Sequence, residues 1–271
     1  MKFIDNFFLS PFSVFLQNRK LIFSLSRRNV QQRYQGSFLG LLWSVLTPII
    51  MLVIYTFIFS VVFKSKWGGS SDKYQFAMLL FSGLIVFNLF SDIVSSSSSL
   101  IVSYSNYVTK VIFPVEILPW VITLSSLFNF MISFVIWLIF YIALIGIPSL
   151  SILLIPIVMI PFCLFCCGLS YIISSLGVYL RDINQLTSLI ITALMFMTPI
   201  FYPISALPEQ YRSYMYWNPV TNVIEMFRDV AIYDVRIQTY YYLTYFLSSL
   251  CIYLIGFWVF KKLRKGFSDV L

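Results

Sequence analysis

Six predominantly apolar runs alternate with short polar breaks along the chain, at 38–63, 75–95, 118–145, 152–178, 183–202 and 239–260. A helix needs about 20 such residues to cross a hydrocarbon layer of ~30 Å, so each run predicts a transmembrane helix. The narrowest division is "GIPSLS" at 146–151, where Gly146 and Pro148 supply a turn between the third and fourth runs.

Two further stretches follow other patterns. In "IFSLSRRNVQQRYQ", residues 22–35, Ile22, Phe23, Val30 and Tyr34 fall on one helical arc and Arg27, Arg28, Gln31 and Gln35 on the opposite one. This predicts an amphipathic helix in the membrane surface just before the first span, its polar face serving either as a lipid anchor or as a docking surface for a cytosolic partner. Residues 1–20 are expected to be a retained surface helix as well, because Asp5 and Pro11 interrupt their apolar stretch and no small-residue cleavage pattern follows. The second stretch, "TPIFYPISALPEQYRSYMYWNPV" at 198–220, holds Pro199, Pro203, Pro208 and Pro219 among Tyr202, Tyr211, Tyr214, Tyr216 and Trp217. Pro208 and Pro219 suit first helical positions and Asn218 an N-cap, which predicts short helices over 208–216 and 219–232. At 1.5 Å per residue these reach about 13 Å and about 21 Å, too short to span, so they are expected to enter and leave from the outer side. An interfacial aromatic belt is the plainer reading of the same rings.

Composition sharpens this picture. Of 271 residues, 60% are hydrophobic and 10% charged, against about 25% charged in a soluble domain, and the mean hydropathy is +0.90. The pattern is that of an all-α integral membrane protein. The chain contains no histidine, which removes the usual acid–base residue and the commonest metal ligand, and with them most hydrolase, zinc and proton-shuttle mechanisms. "CLFCC" at 163–167 lies in an apolar run without a nearby carboxylate and reads as packing; no metal site or disulfide framework is expected.

Basic residues set the orientation. Lys2, Arg19, Lys20, Arg27, Arg28 and Arg33 flank the N-terminus and Lys261, Lys262, Arg264 and Lys265 the C-terminus; Lys110 and Arg181 occupy short loops on the same side. The other side carries half as many, namely Lys64, Lys66, Lys73, Arg212, Arg228 and Arg236, so both termini are expected in the cytosol. Inner loops at about 96–117 and 179–182 are too short for a catalytic domain, and no G-x-x-x-x-G-K-[ST] phosphate cradle occurs. Any ATP that powers this chain is therefore expected on another polypeptide.

Within the first inner loop, 104–113 has room for one transverse helix, which Asn106 would cap and Pro114 end. Asp92 reads as a carboxylate at a wet helix end rather than a cation pathway, with Ser95 to Ser99 solvating a frayed terminus. Arg181 and Asp182 in "YLRDINQ" fit either a positive-inside anchor or a partner contact.

Four ordered stretches carry a resemblance: "RRNVQQRYQGSFLGLLWSVLTPIIMLVIYTFIFSVVF", "SNYVTKVIFPVEILP", "LGVYLRDINQL" and "TPIFYPISALPEQYRSYMYWNPVTNVIEMFRD". Together they are similar to ABC-2-type transporter permeases of the polysaccharide-export group, and the similarity is weaker at 1–20 and 233–271. The resemblance implies one transmembrane domain over 1–271, with an interface helix at 22–35, spans one to five within 38–202, re-entrant gate helices at 205–232 and a sixth span at 239–260. It implies a homodimer in the bacterial inner membrane, paired with a cytosolic ATPase dimer that binds the ATP and Mg, and exporting an undecaprenyl-linked glycan such as O antigen, capsule or teichoic acid. This chain itself is expected to bind no cofactor and no nucleic acid; its other contacts are membrane lipids. Carried onto this sequence, the ATPase-coupling residues are Arg27, Arg28, Gln31, Arg33, Ser105, Asn106, Tyr107, Lys110, Arg181 and Asp182, and the gate or glycan-path residues are Tyr202, Tyr211, Tyr214, Tyr216, Trp217 and Asn218. An exporter of small lipids or drugs is the nearest competing reading. An autonomous flippase or secondary transporter would need coupling carboxylates deep within several spans, and a membrane glycosyltransferase would need a nucleotide-sugar domain.

Overall fold

The computed structural model describes residues 11–58, 73–110, 113–180 and 182–271, with no strand among them. Residues 11–17 are helical and Asn18 interrupts them before α1 (Arg19–Tyr34). There follow α2 (Trp43–Thr56), α3 (Lys73–Ser97), two short helices α4 (Leu100–Ser103) and α5 (Ser105–Lys110), and the long α6 (Leu118–Leu144) and α7 (Ile155–Tyr179). The chain ends with α8 (Ile183–Phe196), α9 (Glu209–Met215), α10 (Pro219–Arg228), α11 (Thr239–Leu263) and α12 (Phe267–Val270).

Four helical stretches among the described residues are long and apolar enough to cross a membrane: Tyr74–Ser97, Val115–Leu144, Leu150–Tyr179 and Thr239–Val270. They coincide with the second, third, fourth and sixth apolar runs and make this a multi-pass membrane protein. The first and fifth runs appear as shorter apolar helices, Gly40–Thr56 and Ile183–Phe196. The fifth stops well before residue 202 because Pro199 has no N–H to continue the ladder and the Thr198 hydroxyl turns back to Leu194 O at 2.5 Å. Residues 1–10, half of the expected N-terminal surface helix, lie outside the described residues, as does the end of the first run at 59–63.

The tightest seam joins α7 to α11. A Cβ on Gly256 would sit 2.2 Å from Gly168 O, and one on Gly168 would sit 2.7 Å from Tyr253 Cα, so the two backbones touch where both side chains are absent. With no water to expel in the bilayer, such close backbone contact is the main source of helix association. "CLFCC" belongs to this seam's surroundings: Cys166 and Cys167 are buried in the apolar core and Cys163 partly so. On the other flank, the Trp137 indole donates to Met78 O at 3.0 Å and holds α6 to α3.

The helix expected at 22–35 forms as α1, with one shift of face. Its buried stripe is Ile22, Ser26 and Val30, while Phe23 is exposed. Ile22 packs with Ile117 and Val121 of the third span. Ser26 takes a buried place because its hydroxyl lies 2.8 Å from Ile22 O and 3.1 Å from Val121 O, so its polar atom is satisfied in the contact. A short helix also forms in the first inner loop, but it starts at Ser105, so Asn106 lies inside it rather than at the cap.

Replacing Gly256 with Val should break the seam. The expected cost is about 1–3 kcal/mol or more, typical of overpacking, and it would appear as a lower melting temperature and yield in detergent; a melting temperature equal to that of the unaltered chain would show that the seam tolerates a side chain.

Candidate functional site

Helix termini gather the sequence-identified residues at two opposite ends of the bundle. At the first end, α1 crosses the start of α6; Arg27, Arg28 and Gln31 are exposed, and Arg27 and Gln31 flank the contact, lining a cavity with Leu124, Phe128 and Met131 of α6. Exposed Asn106 and Tyr107 and half-buried Ser105 belong to α5 at the same end, beyond the C-terminus of α3. The side chain of Lys110 and the whole of Arg181 lie outside the described residues; Asp182 is exposed and precedes α8 without capping it.

This end is tied together by charge and hydroxyl contacts. Arg33 Nη1 donates to both oxygens of Asp92, at 2.8 and 2.7 Å, bracing α1 against α3. Asp92 is therefore an ion-pair partner rather than a free carboxylate at a wet helix end, and Arg33 is set apart from the exposed arginines by that pairing. Two of the five serines, Ser97 and Ser98, differ from expectation for a related reason, while Ser95 and Ser99 are exposed. The Ser97 hydroxyl is buried 2.6 Å from that of Ser170, and the Ser98 hydroxyl donates to Asn184 Oδ1 at 2.9 Å, so these side chains join helices instead of solvating a frayed end. Arg264 pairs with Glu116, while Tyr171 donates to Glu116 O and Tyr179 to Leu263 O, each at 2.7 Å. The basic tail is thereby held to the starts and ends of three long helices.

The opposite end is built around α9 and α10. Asn218 caps α10 as expected, its Oδ1 accepting from Val220 N at 3.0 Å, and its Nδ2 also donates to the Thr198 hydroxyl at 3.1 Å. One side chain thus links the end of the fifth apolar run to the start of α10. Arg212 donates to Leu207 O and Ser205 O at 2.9 and 2.8 Å, fixing α9 on the loop before it. The helices follow the expected 208–216 and 219–232 closely, except that the second passes at Asp229–Tyr233 into a π-helical turn ended by Asp234 at φ 55°.

α10 is sunk into the bundle. Phe227 meets Phe130, Phe134 and Trp137 of α6 edge-on, with ring centroids 6.0–6.4 Å away. Arg228, 1% exposed, donates to Leu79 O at 3.2 and 3.0 Å, to Pro199 O at 2.7 Å and to Glu225 at 2.9 Å. It is an internal clamp and not the outer-loop charge that the basic-residue balance assumed. α9 and the turn after it, by contrast, present their rings outward: Tyr211, Tyr214, Tyr216 and Trp217 are 53%, 66%, 44% and 84% exposed, whereas Tyr202 is half-buried and donates to Phe196 O. Beside Tyr216 lies a cavity of about 380 Å³ that also meets Glu225, Asp229, Arg236 and Tyr241. Burial, and secondarily Glu225, lifts the Asp229 carboxyl to about 6.

Sequence reasoning missed the Arg33–Asp92 pair, the Arg228 clamp and the polar residues Asn88, Ser126 and Asn129, which share a crevice between helices. The Glu225 and Arg228 spacing of i, i+3 was the only local signal; the others join residues far apart in the chain.

Comparison with known proteins identifies the family. Residues 20–232 match the family described as ABC-2 type transporter. The chain is 32% identical over 216 residues to the O-antigen export system permease protein RfbA of Myxococcus xanthus, covering 79% of this chain and 81% of that protein. It is 26% identical to the protein of the same name from Klebsiella pneumoniae, over 93% and 95% of the two chains, and 25% identical to the polysialic acid transport protein KpsM of Escherichia coli, over 77% and 80%. The motifs, the helical bundle and the extent of the match together establish that this chain belongs to the ABC-2 type transporter family.

Proposed function

We propose that the chain is the permease subunit of an ATP-driven exporter that moves an undecaprenyl-linked polysaccharide across the bacterial inner membrane, O antigen foremost, with capsule and teichoic acid next. The observation that carries this reading is the match to an O-antigen export permease over nearly the whole of both chains. In this arrangement the two shorter apolar helices complete a set of six spans, both termini are cytosolic, and 205–232 forms re-entrant helices within a single transmembrane domain. Two copies work together with a dimeric cytosolic ATPase, which binds the ATP and Mg.

Physical features support a division of labour between the ends. Exposed Arg27, Arg28 and Gln31 stand on a helix whose other face is locked to the third span, so a push on the polar face is passed to the bundle. At the far end, Tyr211 and Tyr214 on a short helix and Tyr216 and Trp217 in the turn after it are anchored by Arg212 and Asn218. Aromatic faces pass sugar rings in succession without sequence-specific hydrogen bonds, which suits a polymer of many lengths.

The direct test reconstitutes the purified chain with the ATPase from its own cell. The permease alone should hydrolyse no ATP, and the complex should hydrolyse it and move lipid-linked glycan; hydrolysis by the isolated chain, or transport of small amphiphiles only, would overturn the assignment. For the docking face, charge reversal at Arg27 and Arg28 together, or Lys110→Glu, should lower ATPase co-purification and export about tenfold while insertion persists. Unchanged co-purification in both variants would leave only the lipid-anchor role. For the gate, replacing Tyr211, Tyr214, Tyr216 and Trp217 with Ala should reduce export per assembled complex several-fold. A fall in assembly with normal export per complex would instead identify an interfacial belt.

A further inference from the structure

α1, α6 and the turn before α2 enclose a cavity of about 530 Å³, within the ~300–1,000 Å³ of small-molecule sites. Its walls are mostly apolar, formed by Phe23 and Val30 of α1, Leu41 of the turn, and Leu124, Phe128 and Met131 of α6. Ser26 and Ser125 also border it, but their hydroxyls are already held by backbone carbonyls. That leaves Arg27 and Gln31, both exposed and neither with a partner among the described residues, as its free polar side chains.

Polar and apolar groups are ordered along α6. Ser26 Oγ lies 3.1 Å from Val121 O, so Arg27, next in the chain, stands level with the start of α6, at the end where Glu116 meets Arg264. Met131 is ten residues further along, about 15 Å deeper at 1.5 Å per residue, which is half of a ~30 Å hydrocarbon layer. A cation at the basic end followed inward by an apolar slot one leaflet deep is the order of phosphate and acyl chain in a phospholipid. The surroundings suit one. Of the four long apolar stretches, the one containing α6 is the least enclosed by the bundle, and its exposed face continues past the cavity as Val135, Ile139 and Ile142.

Charge selects the headgroup. Arg33, Arg212, Arg228 and Arg264 each have a carboxylate nearby, whereas Arg27 has none among the described residues. Tails fill apolar space between helices with little selectivity, because lipid is as apolar as leucine; a guanidinium beside that space discriminates by charge. One arginine and one amide match a phosphodiester bearing a single negative charge, and an ammonium on the same headgroup would offset the attraction.

We propose that this cavity binds one anionic glycerophospholipid of the phosphatidylglycerol kind, with an acyl chain along Leu124 to Met131 and the phosphate held by Arg27 and Gln31. The bound lipid fills the gap between α1 and α6 and seats α1 on the third span. It does so whatever cargo is carried, so the site stands or falls apart from the export reading.

The test compares phosphatidylglycerol and phosphatidylcholine carrying the same photoreactive acyl chain, each at trace level in phosphatidylcholine nanodiscs that hold the purified chain. Labelled residues are read by mass spectrometry. The expected result is label within 124–131, about fivefold heavier from phosphatidylglycerol. That preference should be lost in Arg27→Gln and kept in Arg28→Gln, because position 28 lies about 100° further round the helix and outside the cavity. Should Arg27→Gln fail to reconstitute, Met131→Trp is read in its place: the position is exposed, and the larger ring should fill the slot and remove most of the phosphatidylglycerol label. Equal labelling by the two lipids, a preference that survives Arg27→Gln, or label undiminished in Met131→Trp would overturn the site as ordinary bilayer contact. An unlabelled α6 together with a disulfide between two copies carrying Phe128→Cys would show that a second copy covers the groove, and the lipid assignment would fall. Displacement of the label by undecaprenyl phosphate but not by unlabelled phosphatidylglycerol would also overturn it, giving the groove to the carrier lipid.

Discussion

Backbone polar groups in hydrocarbon must find partners within the protein, and this constraint governs how the chain is able to break inside its own bundle. The backbone leaves helical geometry after Phe196 and again at the π-helical turn following Arg228. Arg228 answers the first break by taking the carbonyls of Pro199 and Ile200, and it also holds Leu79 O on α3. Glu225, 2.9 Å from the guanidinium, offsets the cost of burying its charge. The Asn218 side chain answers at the other margin by capping α10 and receiving Thr198 into the same network. With these partners in place, a short helix can sit deep among long ones.

The two ends of the bundle use polar chemistry differently. At the basic end, ion pairs and hydroxyls connect separate helices: Arg33 with Asp92, Arg264 with Glu116, Ser97 with Ser170. These contacts make α1, the long helices and the C-terminal tail one mechanical body, while Arg27 and Arg28 are left outward. At the aromatic end, polar contacts run mainly within the segment itself, as Arg212 does with Ser205 and Leu207. The segment is internally braced and its rings face out.

Between the ends, the interior is unevenly satisfied. Around α7 and α11 the packing is backbone on backbone, with aromatic rings such as Tyr171, Phe257 and Phe260 meeting edge-on. Beside α2 the contact is open enough to leave a crevice, while unpartnered buried polar atoms occur on both flanks, on Tyr245, Ser249 and Tyr253 of α11 as well as on Ser126 and Asn129 of α6.

Local pattern was enough for the helical class, four of the long spans, the amphipathic α1 and the paired helices after Pro208 and Pro219, because apolar periodicity, proline and an N-cap asparagine act over a few residues. The family motifs were legible for the same reason, being contiguous. Pairings over long separations were not legible: Arg33 finds Asp92 59 residues away, and Arg228 finds Leu79 149 residues away. Such contacts decided that Asp92 is braced, that Ser97 and Ser98 of the serine run are buried, that Phe23 is exposed while Ser26 is not, and that the fifth apolar run ends early. Composition and periodicity determined that this chain would be a bundle of helices in a membrane; only the tertiary structure decided which polar side chains inside it would be satisfied, since a buried polar atom's partner is chosen by packing across the bundle and not by its neighbours in sequence.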